Sequence, residues 1–308
     1  MTTRSDIILR SIGKSYSTGK HTPPVEALKD ISFHVRPGEL FGMIGPDGAG
    51  KTTLFRILTT LLLADKGHAS VAGYDIVKDY KEIRRKVGYM PGRFSLYQDL
   101  TVEENLTFFA TVFHTTIKEN YELVKDIYIQ IEPFKHRKAG KLSGGMKQKL
   151  ALSCALIHKP EVLFLDEPTT GVDPVSRREF WDMLDRLKQQ GITILVSTPY
   201  MDEANRCDRI ALIRAGKLLS VDTPENICHK FEGQLWAVRA DSMYRLLGDL
   251  RAYPGVISCY AFGDFHHLAV KEGTFDVRTL QAVLEQKGYK EIQINPIVPS
   301  VEDTFMSL

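Results

Sequence analysis

The sequence predicts an α/β fold in which a parallel core sheet carries a phosphate-binding loop. An apolar strand at residues 40–45 runs into the glycine-rich segment GPDGAGKTT (residues 45–53), and a helix is expected to follow. The segment EVLFLDEP (residues 161–168) is almost continuously apolar, which is typical of a parallel strand covered on both faces. From about Lys230 onward, strands and helices alternate again, which predicts a second, smaller α+β domain.

Strands are predicted from short apolar runs that end at glycine, proline or charged turns. The last predicted strands of the first domain form a hairpin at residues 209–221. The predicted strands occupy residues 7–16, 27–35, 40–45, 86–90, 161–168, 192–198 and 209–221.

Helices are predicted where apolar residues recur at spacings of three and four. The pattern is helical from Thr101 to about Ile131. Residues 175–191 form another predicted helix, because their apolar residues share one face. Arg177 and Arg178 on this helix are interpreted as exposed charges.

The domain boundary is expected near residues 225–235, and we assign residues 1–228 and 229–308 to the two domains. In the second domain, apolar runs predict strands and periodic segments predict helices. The strands are residues 234–240, 256–262 and 266–271, and the helices are residues 242–253 and 274–289.

Composition restricts the class of protein. Among 308 residues, 43% are hydrophobic and 25% are charged, and the net charge of +2 gives no general attraction to nucleic acid. The four cysteines include no C-x-x-C pair, so neither a zinc site nor a disulfide framework is indicated, and a reducing cytoplasm fits. The apolar run at residues 57–64 is too short to span a bilayer, so a membrane would be reached through a partner.

The segment GPDGAGKTT matches the phosphate-loop pattern G-x-x-x-x-G-K-[ST] between a strand and a helix. Glycines allow backbone N–H groups to form an anion-binding concavity, and the helix N-terminus adds positive potential. Lys51 can reach the β- and γ-phosphates, and the hydroxyl of Thr52 can bind Mg²⁺. Asp47 is unusual, because a carboxylate repels phosphates, and it receives no catalytic role. The predicted nucleotide-binding residues of the loop are Gly45, Asp47, Gly48, Ala49, Gly50, Lys51, Thr52 and Thr53.

Two acidic residues end the strand VLFLDEP. Ligands of parallel sheets bind beyond the carboxyl ends of strands, so Asp166 is the expected partner of Mg²⁺. The adjacent Glu167 could polarise an attacking water as a general base. The alternative is that Asp-Glu-Pro only ends a strand at a turn, which is less favoured beside a phosphate loop.

A second anion-binding helix N-terminus is predicted at LSGGM (residues 142–146), where Ser143 and two glycines precede an apolar-periodic helix. One ATP does not need two phosphate cradles in one chain. Two chains that face each other head to tail would use both.

Together, GPDGAGKTT, LSGGM, VLFLDEP and GVD (residues 171–173) resemble the ATP-binding cassette (ABC) ATPases over about residues 5–225. The resemblance implies a cassette with an N-terminal antiparallel β-subdomain and a helical signature subdomain at about residues 92–157. It also implies that Tyr16 stacks on adenine and that Asp173 lies at a dimer seam. In that family the signature contacts the γ-phosphate held by the opposite subunit, which here implies Leu142, Ser143, Gly144 and Gly145.

The tail VPSVEDTFMSL (residues 298–308) looks like the end of ATPase subunits from bacterial export systems. The resemblance therefore implies an MgATP-dependent ATPase subunit of a membrane exporter, cytoplasmic and peripheral on the inner face of the cell membrane. Its expected partners are integral-membrane transporter subunits and a second ABC ATPase subunit, identical or different, and no nucleic acid.

The chain departs from the family pattern at two positions. Gly92 stands where the family usually carries a glutamine, and Pro199 stands where it carries a histidine that contacts the γ-phosphate. Proline has no N–H to donate, so we expect the chain's own ATP site to be slow or degenerate. The signature would still complete a partner's site. The alternative is that both substitutions are tolerated in a working homodimer.

Two other functions remain open. One is a non-catalytic, ATP-binding regulatory subunit, which would result if Gly92 and Pro199 abolish hydrolysis completely. The other is a soluble cassette ATPase that acts on the ribosome or on DNA. The single set of motifs and the short distance in sequence from Lys51 to Ser143 disfavour it.

Overall fold

The computed structural model describes residues 6–17, 19, 23–273 and 275–308. Residues 1–5 of the predicted first domain, and residue 274 at the predicted start of a helix, lie outside the described residues. The chain divides into two compact units, Met1–Pro224 and Glu225–Leu308. The assignment of residues 1–228 and 229–308 as domains stays a prediction.

The described part of the first unit contains strands and helices in alternation. The strands are β1 (Ile7–Tyr16), β2 (Val25–Val35), β3 (Leu40–Ile44), β4 (Lys66–Val71), β5 (Tyr74–Asp75), β6 (Val87–Met90), β7 (Val162–Asp166), β8 (Thr193–Thr198), β9 (Arg209–Arg214) and β10 (Lys217–Asp222). The helices are α1 (Lys51–Leu58), α2 (Tyr80–Lys86), α3 (Val102–Val112), α4 (Tyr121–Tyr128), α5 (Gly144–Leu156), α6 (Pro174–Gln189) and, across the division between the units, α7 (Pro224–Cys228). Among the described residues of the whole chain, no helix is both long and apolar enough to cross a bilayer.

Two sheets form the described part of the first unit. The six-stranded sheet has the order β10-β9-β3-β8-β7-β6, with parallel pairing throughout except in the β9–β10 hairpin. Strands β3, β7 and β8 are buried at every position, as expected of central parallel strands. The second sheet, β2-β1-β4-β5, is antiparallel. The parallel core sheet and the N-terminal antiparallel sheet are therefore confirmed.

The helical segment predicted at residues 101–131 consists of two helices, α3 and α4. Thr101 begins α3 with a capping box that includes Glu104, and this pair fixes the start of the helix. The helix ends at Val112, and His114 shortly after it adopts a left-handed φ of 57°. A left-handed residue cannot continue a right-handed helix, so the periodic apolar pattern spans a turn.

His158, which follows α5, is held in a fixed orientation. Its ring stacks on Phe113 with the ring centroids 3.8 Å apart, and its Nε2 lies 3.0 Å from the carbonyl oxygen of Val87. A carbonyl only accepts, so Nε2 carries the hydrogen. Burial lowers the pKa of His158 to about 4.

We expect His158 to make the folded chain less stable in mild acid. Below about pH 6.5 this histidine is protonated in the unfolded chain but not in the folded chain. The free energy of unfolding therefore decreases as the pH is lowered from about 6.5 to about 4. Replacement by phenylalanine should reduce the loss of unfolding free energy between about pH 6.5 and pH 5 by roughly 2 kcal/mol. Denaturant unfolding at both pH values measures this. The matched control is His136→Phe, because the His136 side chain is 79% exposed. An equal pH dependence in the His158 variant and the wild type would contradict the expectation.

The second unit is an antiparallel sheet with helices. Its elements are β11 (Gln234–Arg239), α8 (Met243–Arg251), β12 (Val256–Phe262), β13 (Phe265–Val270), α9 (Val277–Gln286), β14 (Gln293–Ile297) and α10 (Val301–Ser307). The order β12-β13-β11-β14 and the succession βαββαβ define a ferredoxin-like arrangement. Apolar residues of the sheet and of α8 and α9 form one core, among them Val238, Leu246, Leu250, Leu268, Leu280 and Leu284. The predicted α+β class of this part is confirmed.

Candidate nucleotide site

The phosphate loop, residues 45–50, joins the end of β3 to α1. Gly50 immediately precedes the helix with a φ of 107°, and a Cβ atom there would lie 2.4 Å from the carbonyl oxygen of Ala27. Only glycine fits this position. Asp47 and Gly48 are exposed, whereas Ala49 is buried. The loop is thus anchored at its ends and open to solvent in the middle.

Lys51 connects the loop to the acidic strand end. Its side chain is 2% exposed, and Nζ donates to the carbonyl oxygens of Gly45 at 2.7 Å and Pro46 at 3.0 Å. Nζ also lies 3.1 Å from Oε1 of Glu167. The predicted phosphate-binding lysine and the predicted general base are therefore in direct contact.

Asp166 and Glu167 are both fixed by Ser197 on the neighbouring strand β8. Asp166 is 2% exposed, and its Oδ1 accepts a hydrogen bond from the Ser197 hydroxyl at 2.6 Å. The N–H of Glu167 donates to the Ser197 carbonyl at 3.1 Å. Glu167 has a left-handed φ of 50°, a conformation that costs about 1–3 kcal/mol and is common at functional sites.

Burial, and then the charge of Asp166, raise the pKa of the nearby Tyr89 to about 12.

The donor set of the site fits Mg²⁺. A carboxylate from Asp166 and a hydroxyl from the half-buried Thr52 are hard oxygen ligands, which suit this ion. Among the described residues, no group of three or more His, Cys, Asp or Glu side chains could hold a metal by itself. Mg²⁺ commonly takes few protein ligands and completes its shell with phosphates and water, so this sparse set is suitable.

Tyr16, the last residue of β1, lies beside the phosphate loop. Its hydroxyl is 3.3 Å from Oγ1 of Thr53, in the first turn of α1, and the residue is 38% exposed. An aromatic surface is therefore available close to the loop.

The signature segment begins α5. Ser143 is the N-cap, and its Oγ accepts a hydrogen bond from the N–H of Met146 at 3.3 Å. Leu142 is buried, whereas Ser143 and Gly144 are exposed. Among the described residues, no hydrogen bond or ion pair joins residues 142–146 to the phosphate loop. The start of α5 is therefore exposed to solvent.

Asp173 begins α6 next to the signature. It is exposed, and its Oδ1 accepts hydrogen bonds from the N–H groups of Val175 at 3.1 Å and Ser176 at 3.0 Å. Hydrogen bonds from Ser176 first, and then Val175, lower the pKa of Asp173. A Cβ atom at Gly145 would lie 3.1 Å from the hydroxyl oxygen of Ser176, so the starts of α5 and α6 are neighbours.

Gly92 lies against the acidic strand end. A Cβ atom there would be 3.0 Å from the carbonyl oxygen of Asp166 and 3.8 Å from Cβ of Glu167. A side chain at this position would require the strand end to move by a few tenths of an ångström. The backbone carbonyl of Asp166 therefore occupies part of the space that a larger side chain at residue 92 would need.

Pro199 lies beside the first glycine of the phosphate loop. The carbonyl of Thr198, the residue before it, accepts a hydrogen bond from the N–H of Gly45 at 3.3 Å. The hydroxyl of Thr198 accepts one from the N–H of Tyr200 at 3.0 Å. The turn is therefore fixed on both sides of a residue that has no donor.

The interpretation of Arg177 as an exposed charge is wrong, whereas Arg178 is exposed. The side chain of Arg177 is only 23% exposed, because the loop after β8 folds over the first turn of α6. The guanidinium carbon lies 4.1 Å from the centre of the Tyr200 ring. Glu203 in the same loop is 3% exposed, and we did not predict its involvement. No spacing pattern indicates this contact, since its residues are far apart in sequence.

The comparisons with known proteins agree with this geometry. A family described as "ABC transporter" matches residues 28–170. The chain is 39% identical, over 98% of its length and 52% of the relative's, to the probable multidrug ABC transporter ATP-binding protein YbhF of Escherichia coli K12. It is 35% identical, over 72% of its length and 71% of the relative's, to the linearmycin resistance ATP-binding protein LnrL of Bacillus subtilis 168. The chain belongs to the ABC transporter ATP-binding family. ATP is the nucleotide that this family binds.

The fold of this ABC cassette has a solved counterpart. The "Structure of ATP binding subunit of ABC transporter" matches with a TM-score of 0.65 and 26% identity, over 73% of this chain and 92% of the other. This likeness confirms the predicted cassette fold. The chain spans about half the length of YbhF.

Proposed function

We propose that this ABC cassette is the ATP-binding and ATP-hydrolysing subunit of a membrane exporter. The observation that carries the proposal is the contact between Lys51 and Glu167, which brings a phosphate-binding cation and a general base to one place beside the phosphate loop. The names of the relatives, a multidrug transporter protein and a drug-resistance protein, support export.

In this proposal, Tyr16 stacks on adenine and the phosphate loop holds the phosphates. Mg²⁺, held by Thr52 and Asp166, would neutralise phosphate charge. Glu167 polarises the attacking water. Its carboxylate contacts Lys51, and incoming phosphates compete for this lysine. Binding of ATP therefore releases Glu167 for its role as a base.

The proposed working unit is a head-to-tail pair of cassettes. Leu142, Ser143, Gly144 and Gly145 act on the ATP of the second cassette, and Asp173 lies at the seam. The exposed starts of α5 and α6 lie side by side, which supports a common contact surface. Whether the second cassette is identical depends on the chain's own site, which we propose to be slow because of Gly92 and Pro199. A completely inactive site would make the chain an ATP-binding regulator.

The proposed membrane partner docks on a groove between β6, α3 and α5. This groove encloses about 430 Å³ and is lined mostly by apolar side chains, among them Met90, Leu96, Phe109, Val112 and Phe113. Tyr97 and Phe108 pack edge to face and are 51% and 40% exposed. An exposed apolar surface of this kind is typical of a protein interface. Docking there would hold the chain against the inner face of the membrane.

Affinity purification from detergent-solubilised membranes tests the proposal. An affinity-tagged chain should co-purify with an integral-membrane protein, and the chain purified by itself should show ATP turnover that depends on Glu167. Glu167→Gln should reduce turnover at least about 100-fold, because it removes the base, and leave ATP binding within a few-fold. Co-purification with ribosomes or DNA and no membrane protein would contradict export. Unchanged turnover in the variant would contradict the role of Glu167.

A further inference from the structure

Glu203 is a buried carboxylate that connects two strand ends of the nucleotide site. It is 3% exposed, and its Oε2 accepts hydrogen bonds from Oγ1 of Thr169 at 3.1 Å and from Oγ1 of Thr198. Thr169 follows the acidic end of β7, and Thr198 directly precedes Pro199. A single oxygen thus joins the loop after Glu167 to the turn at Pro199.

The second oxygen of Glu203 faces Arg177. Oε1 of Glu203 and Nε of Arg177 are 3.6 Å apart, and each is buried with no hydrogen bond among the described residues. An unsatisfied buried polar group destabilises the folded chain, so two complementary groups in this position favour forming the bond. Contraction by less than about 1 Å would bring them to hydrogen-bond distance. The contact is therefore incomplete.

Arg177 reaches this contact from the first turn of α6. Its backbone N–H donates to the carbonyl of Asp173 at 2.9 Å, so a movement of the helix start moves Arg177. Its guanidinium lies on the ring of Tyr200, which belongs to the Pro199 turn. The carboxylate of Asp202 also faces the guanidinium, 3.8 Å away and with a side chain that is 75% exposed.

We propose that Arg177 is a positioning residue that couples the start of α6 to the strand ends around the γ-phosphate. When a second cassette packs against Asp173, the first turn of α6 moves inward and Nε of Arg177 donates to Oε1 of Glu203. This bond fixes Thr198 and Thr169, and through them the Pro199 turn and the loop of Glu167. The inference rests on the paired arrangement proposed above.

The test uses the complex purified from membranes through a tag on this chain. Arg177→Met should reduce the kcat of ATP turnover about tenfold and leave KM within twofold, because a positioning contact is lost and no ATP-binding group is. The matched control, Arg178→Met, removes the exposed charge next to it on the same helix and should change neither value.

A second variant separates positioning from charge neutralisation. In the double variant Arg177→Met/Glu203→Gln, no buried carboxylate lacks its counterion, so a merely structural role predicts recovery of kcat. The proposal predicts that kcat stays low although the double variant is as heat-stable as the wild type. Recovery of kcat, or a kcat of Arg177→Met within twofold of the wild type, would overturn the inference alone. A wild-type complex with no ATP turnover would overturn the proposed function, and with it the inference.

Discussion

Replacing Lys51 by methionine is expected to weaken ATP binding at least about 100-fold, since a phosphate charge loses its buried cationic partner. Methionine has a similar length but no charge and no donor. In the variant, the carboxylate of Glu167, which lies 3.1 Å from Nζ in the wild type, has no counterion and repels the phosphates. Equilibrium binding of a fluorescent ATP analogue, with the chain shown to be folded by circular dichroism, measures the loss.

Two further variants identify the cause of that loss. Lys78→Met removes an exposed lysine and should leave ATP affinity within twofold of the wild type. Lys51→Met/Glu167→Gln removes the unpaired carboxylate as well and should recover part of the affinity, about tenfold. An affinity of Lys51→Met within about tenfold of the wild type would contradict the role of Lys51 in phosphate binding.

Much of the fold follows from local patterns in the sequence. The run at β7 is apolar at every position except its last, Asp166, and a strand with this composition has to be covered on both faces. Strand β14 was not predicted, because its signal is nonlocal. Residues QINPI form a strand only through pairing with β11, and Pro296 is tolerated there because β14 is an edge strand.

The candidate site shows the same limit. The phosphate loop and the signature are contiguous motifs whose spacing expresses their geometry, so they can be located by inspection. The contact between Arg177 and Glu203 joins residues that are far apart in the chain, and neither has a distinctive neighbour in sequence. The packing around Gly92 is equally nonlocal. The sequence shows that a side chain is missing there, but it does not show that the carbonyl of Asp166 lies close to the position of that side chain. Nonlocal packing decides both features.

Supplying a hydrogen-bond donor at residue 199 is expected to increase activity. Pro199→His should raise the ATP turnover of the purified chain at least about tenfold, because it supplies a hydrogen-bond donor at the γ-phosphate edge, where such donors contribute about 100-fold or more to rates. Hydrogen bonds on both sides of residue 199 hold the turn in place. The carbonyl of Thr198 accepts a hydrogen bond from the N–H of Gly45, and its hydroxyl accepts one from the N–H of Tyr200. The turn should therefore persist without the proline ring. Steady-state ATP hydrolysis measures the gain.

Gly92→Gln should give no such gain by itself, although it supplies the other missing group. Its Cβ would lie 3.0 Å from the carbonyl oxygen of Asp166, and accommodating it displaces the backbone that holds Asp166 and Glu167. Overpacking of this kind typically costs about 1–3 kcal/mol. Gly92→Ala is the matched control, since it adds the same Cβ without the amide and should reduce stability equally.

The double variant Pro199→His/Gly92→Gln should therefore be no faster than Pro199→His, in spite of carrying both groups typical of the family. A large additional gain in the double variant would show that the strand end adapts freely to a side chain at residue 92. A wild-type chain that turns over ATP about ten times per second, with no gain from Pro199→His, would contradict a slow site. In that case both departures are tolerated, and a pair of identical cassettes is sufficient for the cycle.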